Sequence, residues 1–151
     1  MNYPFTYWIE LEDRTSYWVV SIPDFDDEDG ITAESSSSLH EQAEKRLYRL
    51  LSTCFDQRKQ VPLPSTVKGH QPFVSIPLRV AIKVLLHNAM IEQDLDLKSL
   101  AKRMGGSIQD AHLLVDLEHP TPIDHLEAAF FAIDRQLHVS SGLSLPQPQI
   151  P

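Results

Sequence analysis

Apolar and polar residues alternate along the first part of the chain and recur at helical spacing along the second part. The alternation runs over residues 2–12 and resumes, after a polar turn at 13–16, over residues 17–22. Strict alternation is typical of half-buried strands, so these two segments predict a β-hairpin. Shorter strands are predicted over Ile31–Ala33 and Phe73–Ile76, the latter adding to the same sheet.

One helix is predicted between the last two strands. Ser38 and Glu41 match a capping box, and an apolar stripe continues to about Phe55. The stripe consists of Leu39, Ala43, Leu47, Leu50 and Cys54. The polar segment 56–72, broken by three prolines and a glycine, is predicted to be a loop and linker.

The second part of the chain predicts helices only, apart from a short final strand over residues 137–139. Pro77 fits the first turn of a helix over residues 78–94, and a further helix is predicted from Ile123 to Ile133. Between them, residues 95–118 predict two short helices joined by a tight turn. Asp96 and Ser107 are expected to cap these helices, and Gly105 to end the first. This is helix-turn-helix spacing, although a plain helical hairpin gives a similar pattern.

These elements predict an α+β chain of two domains. A small antiparallel sheet with one packed helix is expected in residues 1–75, and an all-α helix-turn-helix domain in residues 76–140. The remaining segment, 141–151, is rich in Pro, Ser and Gln and is expected to be disordered.

Charge and composition narrow the function classes. The net charge of −8 argues against general affinity for nucleic acid and suits a basic protein partner. A single cysteine, Cys54, excludes an internal disulfide framework. No charged amino end precedes an apolar core and no run of 18 apolar residues occurs, so a cytoplasmic protein without a membrane span is expected.

The strongest local concentration of charge is an acidic loop around Phe25. Its candidate binding residues are Asp24, Phe25, Asp26, Asp27 and Glu28. A solvated turn is the simplest interpretation. Calcium is an alternative, but the ligand spacing of an EF-hand loop is missing, so no metal is expected.

The order of these motifs over some 130 positions resembles HicB-type antitoxins. The matching motifs are Tyr3-Pro4, Ile22-Pro23-Asp24-Phe25, Val61-Pro62-Leu63-Pro64-Ser65, Ile76-Pro77-Leu78, the run from Lys83 to Ala89, Leu100-Ala101-Lys102-Arg103 and Ile123-Asp124. The resemblance implies a small basic toxin partner of the HicA type, which cleaves messenger RNA with a histidine. It also implies a degraded ribonuclease H-like fold for the N-terminal domain, and a C-terminal domain that forms a homodimer or higher oligomer and binds operator DNA.

The residues fit the toxin-binding part of that implication. Residues 1–76 contain 12 Asp and Glu against 7 Lys and Arg, a balance that would attract a basic enzyme. Phe25 is a candidate apolar anchor for the toxin, although an aromatic residue after a strand is more often part of the core.

The DNA-binding part fits less well, because residues 77–139 contain 6 Lys and Arg against 9 Asp and Glu. Lys and Arg on the first helix of the pair suit phosphate contacts, Gln and His on the second suit base contacts, and Asp110 would repel phosphate. The candidate DNA-binding residues are Lys98, Lys102, Ser107, Gln109, Asp110 and His112. An interaction and dimerisation protein that has lost DNA recognition is the alternative.

An enzyme is the third possibility. Glu10, Glu12 and Asp24 could approach one another at strand ends and hold magnesium, as a nuclease requires. The resemblance implies a lost active site, and the seven histidines lack the spacing of a zinc site. We therefore expect no catalytic residues and no cofactor.

Overall fold

The computed structural model describes residues 5–66 and 69–140. The predicted strand 2–12 begins before this range, and the predicted disordered tail 141–151 lies outside it. The layout is α+β, as predicted: five short strands and one helix are followed by four further helices. The described residues divide into two units, here called the sheet unit (5–53 and 62–76) and the helical unit (54–61 and 77–140).

Two antiparallel sheets organise the sheet unit. The strands β2 (Glu10–Arg14), β3 (Tyr17–Ser21) and β4 (Ile31–Ala33) form one sheet, in which Val20 lies opposite both Leu11 and Ile31. The strands β1 (Phe5–Trp8) and β5 (Phe73–Ile76) form the second, with Tyr7 opposite Val74. The predicted first strand is therefore divided at Ile9, whose amide donates to the carbonyl of Pro72 at 2.9 Å.

The helix α1 (Leu39–Asp56) buries one stripe of apolar side chains. Its buried residues are Leu39, Ala43, Leu47 and Leu51. Leu50 and Cys54, predicted on this stripe, are only half-buried, because the core continues at four-residue steps through Leu51. The predicted Ser38–Glu41 box does not form. Instead Ser38 Oγ bonds back to the backbone of Ser35, and Glu41 pairs with Lys45 at 2.7 Å.

The helical unit has one apolar core shared by four helices. These helices are α2 (Leu78–Glu92), α3 (Leu97–Met104), α4 (Ile108–Val115) and α5 (Ile123–Ala132). Leu86, Leu100 and Leu126 are fully buried at its centre. The predicted strand over 137–139 is absent, since these residues have irregular backbone.

Polar side chains of α2 bind the segment 59–61 within the same unit. Asn88 Oδ1 accepts from the Val61 amide at 2.8 Å, and its Nδ2 donates to the Val61 carbonyl at 2.9 Å. His87 Nε2 lies 2.8 Å from the Lys59 carbonyl, and its ring stacks on Phe55 with the ring centroids 4.1 Å apart. Burial lowers the pKa of His87, so the imidazole is neutral near pH 7 and Nε2 carries the donated proton.

Candidate functional sites

The acidic loop that follows β3 begins with a single 3₁₀ turn over Pro23–Phe25. Asp24 Oδ2 accepts from the Ser65 amide at 3.0 Å. The loop closes at Gly30, which has a left-handed φ of 61°; a Cβ there would lie 2.8 Å from the Val20 carbonyl oxygen. Only glycine therefore fits this end of the loop without strain.

Asp27 stands apart from the other acidic residues of the loop because its side chain is 0% exposed. Its carboxylate accepts from the backbone amides of Ile22 at 3.1 Å and Gly30 at 3.2 Å. The Arg46 guanidinium of α1 donates to both carboxylate oxygens, and its side chain is 12% exposed. Burial by itself would raise the pKa of Asp27, but these hydrogen bonds outweigh it, so the pKa lies below its ordinary value. Asp27 therefore stabilises the conformation of the loop through hydrogen bonds to its backbone.

The remaining predicted toxin-binding residues differ in exposure. Asp26 and Glu28 are exposed, whereas Asp24 and Phe25 are half-buried. The Phe25 ring lies against that of the buried Tyr7, with the centroids 5.1 Å apart. The loop therefore presents carboxylates to solvent beside an aromatic ring that is only partly covered.

The predicted helix pair forms as α3 and α4, with the predicted caps. Asp96 accepts from the Ser99 amide at 2.7 Å, and Gly105 ends α3 with a left-handed φ of 68°. Ser107 Oγ accepts from the Asp110 amide at 3.1 Å, while Asp110 Oδ2 accepts from the Ser107 amide at 3.1 Å. The hydrogen bonds from Ser107 lower the pKa of Asp110, so this carboxylate is ionised at the start of α4.

All six predicted DNA-binding residues are exposed to solvent. Gln109 and His112 lie on the side of α4 opposite to the buried Ala111 and Leu114, as the helical period requires. Asp110 and Ser107 are bonded to one another in the capping box, so their polar atoms are partly occupied.

A pocket of about 370 Å³ opens beside α4. Residues of α3, α4 and the start of α5 line it, including Met104, Asp110, Leu113, Thr121 and His125. Apolar side chains form much of its wall, together with the carboxylate of Asp110 and the imidazole of His125. The pocket therefore lies along the flank of the helix pair, beside the exposed positions of α4.

Comparison with known proteins decides the family. Residues 2–85 match the model of a HicB-like antitoxin of bacterial toxin-antitoxin systems. The chain belongs to the HicB-like antitoxin family. It is 32% identical to "Antitoxin HicB" of Escherichia coli K12 over 137 residues, which are 91% of this chain and 96% of that protein.

Two proteins of Photorhabdus laumondii subsp. laumondii show comparable similarity to this antitoxin. "Antitoxin HicB 2" is 31% identical over 92% of this chain and 95% of its own length. "Antitoxin HicB 1" is 35% identical over 93% of this chain and 86% of its own length. The similarity therefore extends through the helical unit as well as the sheet unit.

The sequence pattern did not predict the burial of Lys83 of α2 in this antitoxin. Its side chain is fully buried, and its ammonium group donates to backbone carbonyls of α4 and of the connection to α5. The available signal was a lone lysine in the apolar run 80–86. A charge in such a run either reaches solvent along the surface or binds a specific set of buried polar groups.

The described part of the antitoxin contains neither a metal-binding cluster nor a membrane-spanning helix. Residues 5–66 and 69–140 contain no cluster of three or more His, Cys, Asp or Glu side chains arranged to hold a metal ion. Within the same residues, no helix combines the length and apolar character needed to cross a membrane.

Proposed function

We propose that this antitoxin neutralises a HicA-type toxin and represses its own operon by binding promoter DNA as a homodimer or higher oligomer. Residues 1–75 would bind the toxin, and residues 76–140 would dimerise and bind DNA. The observation that carries the proposal is the similarity to HicB antitoxins over more than nine-tenths of the chain. We further propose that it acts in the cytoplasm, without catalytic activity or a cofactor.

The acidic loop supports the toxin-binding part. The carboxylates of Asp26 and Glu28 point to solvent, and Phe25 offers a partly covered aromatic surface beside them. Exposed charges of this kind steer a basic partner to the surface and raise the association rate more than the final affinity. Asp27 contributes indirectly, because it holds the loop in shape while its own charge is paired with Arg46.

The toxin-binding part is tested by association kinetics with a purified HicA-type toxin. We expect the double variant Asp26→Asn, Glu28→Gln to lower the association rate by about three- to tenfold at low salt, with a smaller change in dissociation rate. The double variant Glu41→Gln, Glu44→Gln removes the same charge from exposed positions of α1 and serves as the matched control. Equal slowing by both variants would mean that the loop has no special role.

The exposed face of α4 supports the DNA-binding part. Gln109 and His112 are exposed on the second helix of the pair, and glutamine can form two hydrogen bonds with adenine in the major groove. Lys98 and Lys102 are exposed on α3, where a lysine can contact phosphate. The capped start of α4 at Ser107 adds backbone donors at the same end of the helix.

Titration of labelled upstream DNA, with and without the toxin and at two salt concentrations, tests this part. We expect saturable binding that weakens with salt, and a loss of about 1–3 kcal/mol in specific binding for Gln109→Ala. His112→Ala should also weaken binding. Gln136→Ala removes an exposed glutamine of the same unit outside α4 and should have no effect. A folded protein that binds scrambled DNA equally well would contradict the repressor role.

One observation favours a second function, a dimerisation and interaction protein that does not recognise DNA. Ile108 and Leu113 are 43% and 39% exposed on α4, beside the ionised Asp110, which repels phosphate. Phe131 of α5 is 61% exposed and is the residue we propose for self-association. Sedimentation of Phe131→Ser tests that contact: a shift toward monomer supports it, and an unchanged oligomer contradicts it.

A further inference from the structure

Lys83 is buried in the middle of α2 with no exposed surface. Its chain neighbours Ile82 and Val84 are also fully buried, so the side chain does not reach solvent along the protein surface. Lysine is almost never buried completely unless its charge is matched by bound polar groups. We therefore expect the Lys83 ammonium group to have a specific set of hydrogen-bond partners.

Those partners are three backbone carbonyls that surround the end of α4. Nζ lies 3.0 Å from the Leu113 oxygen and 2.9 Å from the His119 oxygen, and it also donates to the Asp116 oxygen. Leu113 is in the last turn of α4, Asp116 follows that helix, and His119 is in the connection to α5. The last carbonyls of a helix have no partner within the helix and carry partial negative charge. All three ammonium protons are therefore used to cap α4 from α2.

A second side chain reinforces the same point. The buried Thr121 donates through Oγ1 to the Leu113 oxygen at 3.0 Å. Its hydroxyl proton is then committed, so His119 Nδ1, which lies 2.8 Å from Oγ1, donates to it. The connection between α4 and α5 is thus bound to α4 by one network of hydrogen bonds that begins at Lys83.

Lys83 has no carboxylate partner within 4.0 Å among residues 5–66 and 69–140. The Asp116 carboxylate accepts from the Glu118 amide, and Arg79, one turn earlier on α2, carries the same charge as Lys83. An ammonium group bound only by carbonyls is held by geometry more than by charge pairing. We therefore expect the ammonium group to contribute little free energy to folding and to act chiefly by fixing the positions of the three oxygens.

We propose that Lys83 is a positioning residue for DNA recognition: by holding the carboxyl end of α4 against α2, it fixes the orientation in which Gln109 and His112 meet DNA. The inference rests on the proposed DNA-binding function. The helix α4 has 8 residues, its start is capped by Ser107, and its end is held by Lys83. Releasing one end lets so short a helix pivot about the other, which displaces both exposed side chains.

The test uses the full chain carrying Lys83→Met, which keeps the length of the side chain and removes its donors. We expect specific DNA binding to weaken at least about tenfold, because a displaced recognition helix loses well-aligned base contacts. The toxin affinity should be unchanged. Hydrogen exchange of the amides of residues 117–119 and 121 should accelerate in the same variant, which reports directly on the released connection.

Leu86→Ala is the matched control, because it removes core volume from the same helix without removing a hydrogen bond to the end of α4. At a temperature where both variants are fully folded, the control should lose less than about threefold in DNA affinity. If the wild-type protein does not bind its promoter, the proposed function itself fails. If it binds and Lys83→Met matches the control in affinity and exchange, the positioning role is overturned.

If Lys83→Met does not fold, Thr121→Val provides a second test of the proposal. This variant preserves the shape of the side chain and removes one donor to the Leu113 carbonyl. We expect an intermediate loss of DNA affinity, about threefold to fivefold, since part of the cap remains. DNA affinity and amide exchange equal to those of the wild type would overturn the proposal.

Discussion

Each unit of this antitoxin buries one charged side chain, and in each case the charge binds the backbone of a loop. In the sheet unit, the Asp27 carboxylate accepts from the amides of Ile22 and Gly30. In the helical unit, the Lys83 ammonium donates to carbonyls at the end of α4. The two differ in one respect: Asp27 forms an ion pair with Arg46, whereas among the described residues Lys83 has no carboxylate within ion-pair distance and only a longer-range attraction to Asp116.

The pKa of each group is lowered, but the consequence for stability is opposite. For Asp27 a lowered pKa means that folding favours the charged form, so the charge stabilises the protein at neutral pH. For Lys83 desolvation lowers the pKa, so folding disfavours the charged form. A buried charge in an ion pair therefore contributes chiefly to stability, whereas one that is hydrogen-bonded only to carbonyls serves chiefly to fix the positions of those groups.

The largest expected effect is that of breaking the Asp27–Arg46 pair. Arg46→Met keeps much of the side-chain volume and leaves a buried carboxylate without its counter-charge, which should lower the free energy of unfolding by about 3–5 kcal/mol. Both tryptophans, Trp8 and Trp18, lie in the sheet unit, so urea unfolding followed by tryptophan fluorescence reports on this change.

Arg14→Met is the control for this variant. Arg14 pairs with Glu12 at 2.7 Å, but both side chains are more than half exposed. Such surface pairs contribute less than about 1 kcal/mol. Equal losses for Arg46→Met and Arg14→Met would contradict the distinction between the buried and the exposed pair.

Acid should remove the contribution of Asp27. Because its folded pKa is depressed, the stability it contributes is complete above the unfolded carboxyl pKa of about 3.9 and is lost as pH falls through the folded value. The difference in unfolding free energy between wild type and Asp27→Asn should therefore be constant from pH 7 to about pH 5 and then shrink. Glu12→Gln, at an exposed pair, supplies the baseline. A difference that stays constant down to pH 2 would show that the charge of Asp27 does not stabilise the fold.

Lys83→Met should cost less stability than Arg46→Met. Each of the three carbonyls loses the ammonium donor but keeps a second one, from Thr121 Oγ1, the His119 amide or the Thr121 amide. A desolvated charge is removed at the same time, so we expect a net loss of about 1–2 kcal/mol. Hydrogen exchange of the most protected amides of α2 measures it. A loss as large as that of Arg46→Met would show that the ammonium group is needed for stability as much as the ion pair.

The smallest expected effect comes from a local cap, in which no charge is buried. Ser107→Ala removes the side-chain acceptor at the start of α4 and should lower the unfolding free energy by about 1 kcal/mol. Thermal unfolding followed by circular dichroism measures this change. Gln136→Ala, at an exposed position of the same unit, should stay within about 0.5 kcal/mol. A Ser107→Ala effect no larger than the control would mean that solvent replaces the cap.

Most interactions between neighbours in the sequence could be predicted, although the capping box expected from Ser38 and Glu41 forms between Ser35 and Ser38 instead. The caps at Asp96 and Ser107 and the stop at Gly105 join residues three or four positions apart, so a short pattern contains all their partners. Alternation likewise predicted strands over the segments that contain the buried Tyr7 and Val20, because the faces of a strand follow from its period of two.

Interactions between distant residues could not be predicted. Asp27 lies in an acidic loop of the kind that is usually solvated, and its partner Arg46 is 19 positions away, so the local pattern does not distinguish it from Asp26. Lys83 meets carbonyls 30 to 36 positions away, and carbonyls leave no trace in the sequence. The prediction of a strand over 137–139 was wrong because three residues are too short a pattern to distinguish a strand from irregular backbone.

The double hydrogen bond between Asn88 and Val61 limits how this gene can be recombined with those of its relatives. A chimaera joined before residue 54 takes Asn88 and the backbone groups it binds from the same parent. A chimaera joined at residue 76 supplies residues 59–61 from another parent, and every such parent must present the same two backbone groups to the buried amide. Exchange of whole units between antitoxins should therefore succeed most often when the crossover precedes residue 54 and carries the end of α1 along with the helices.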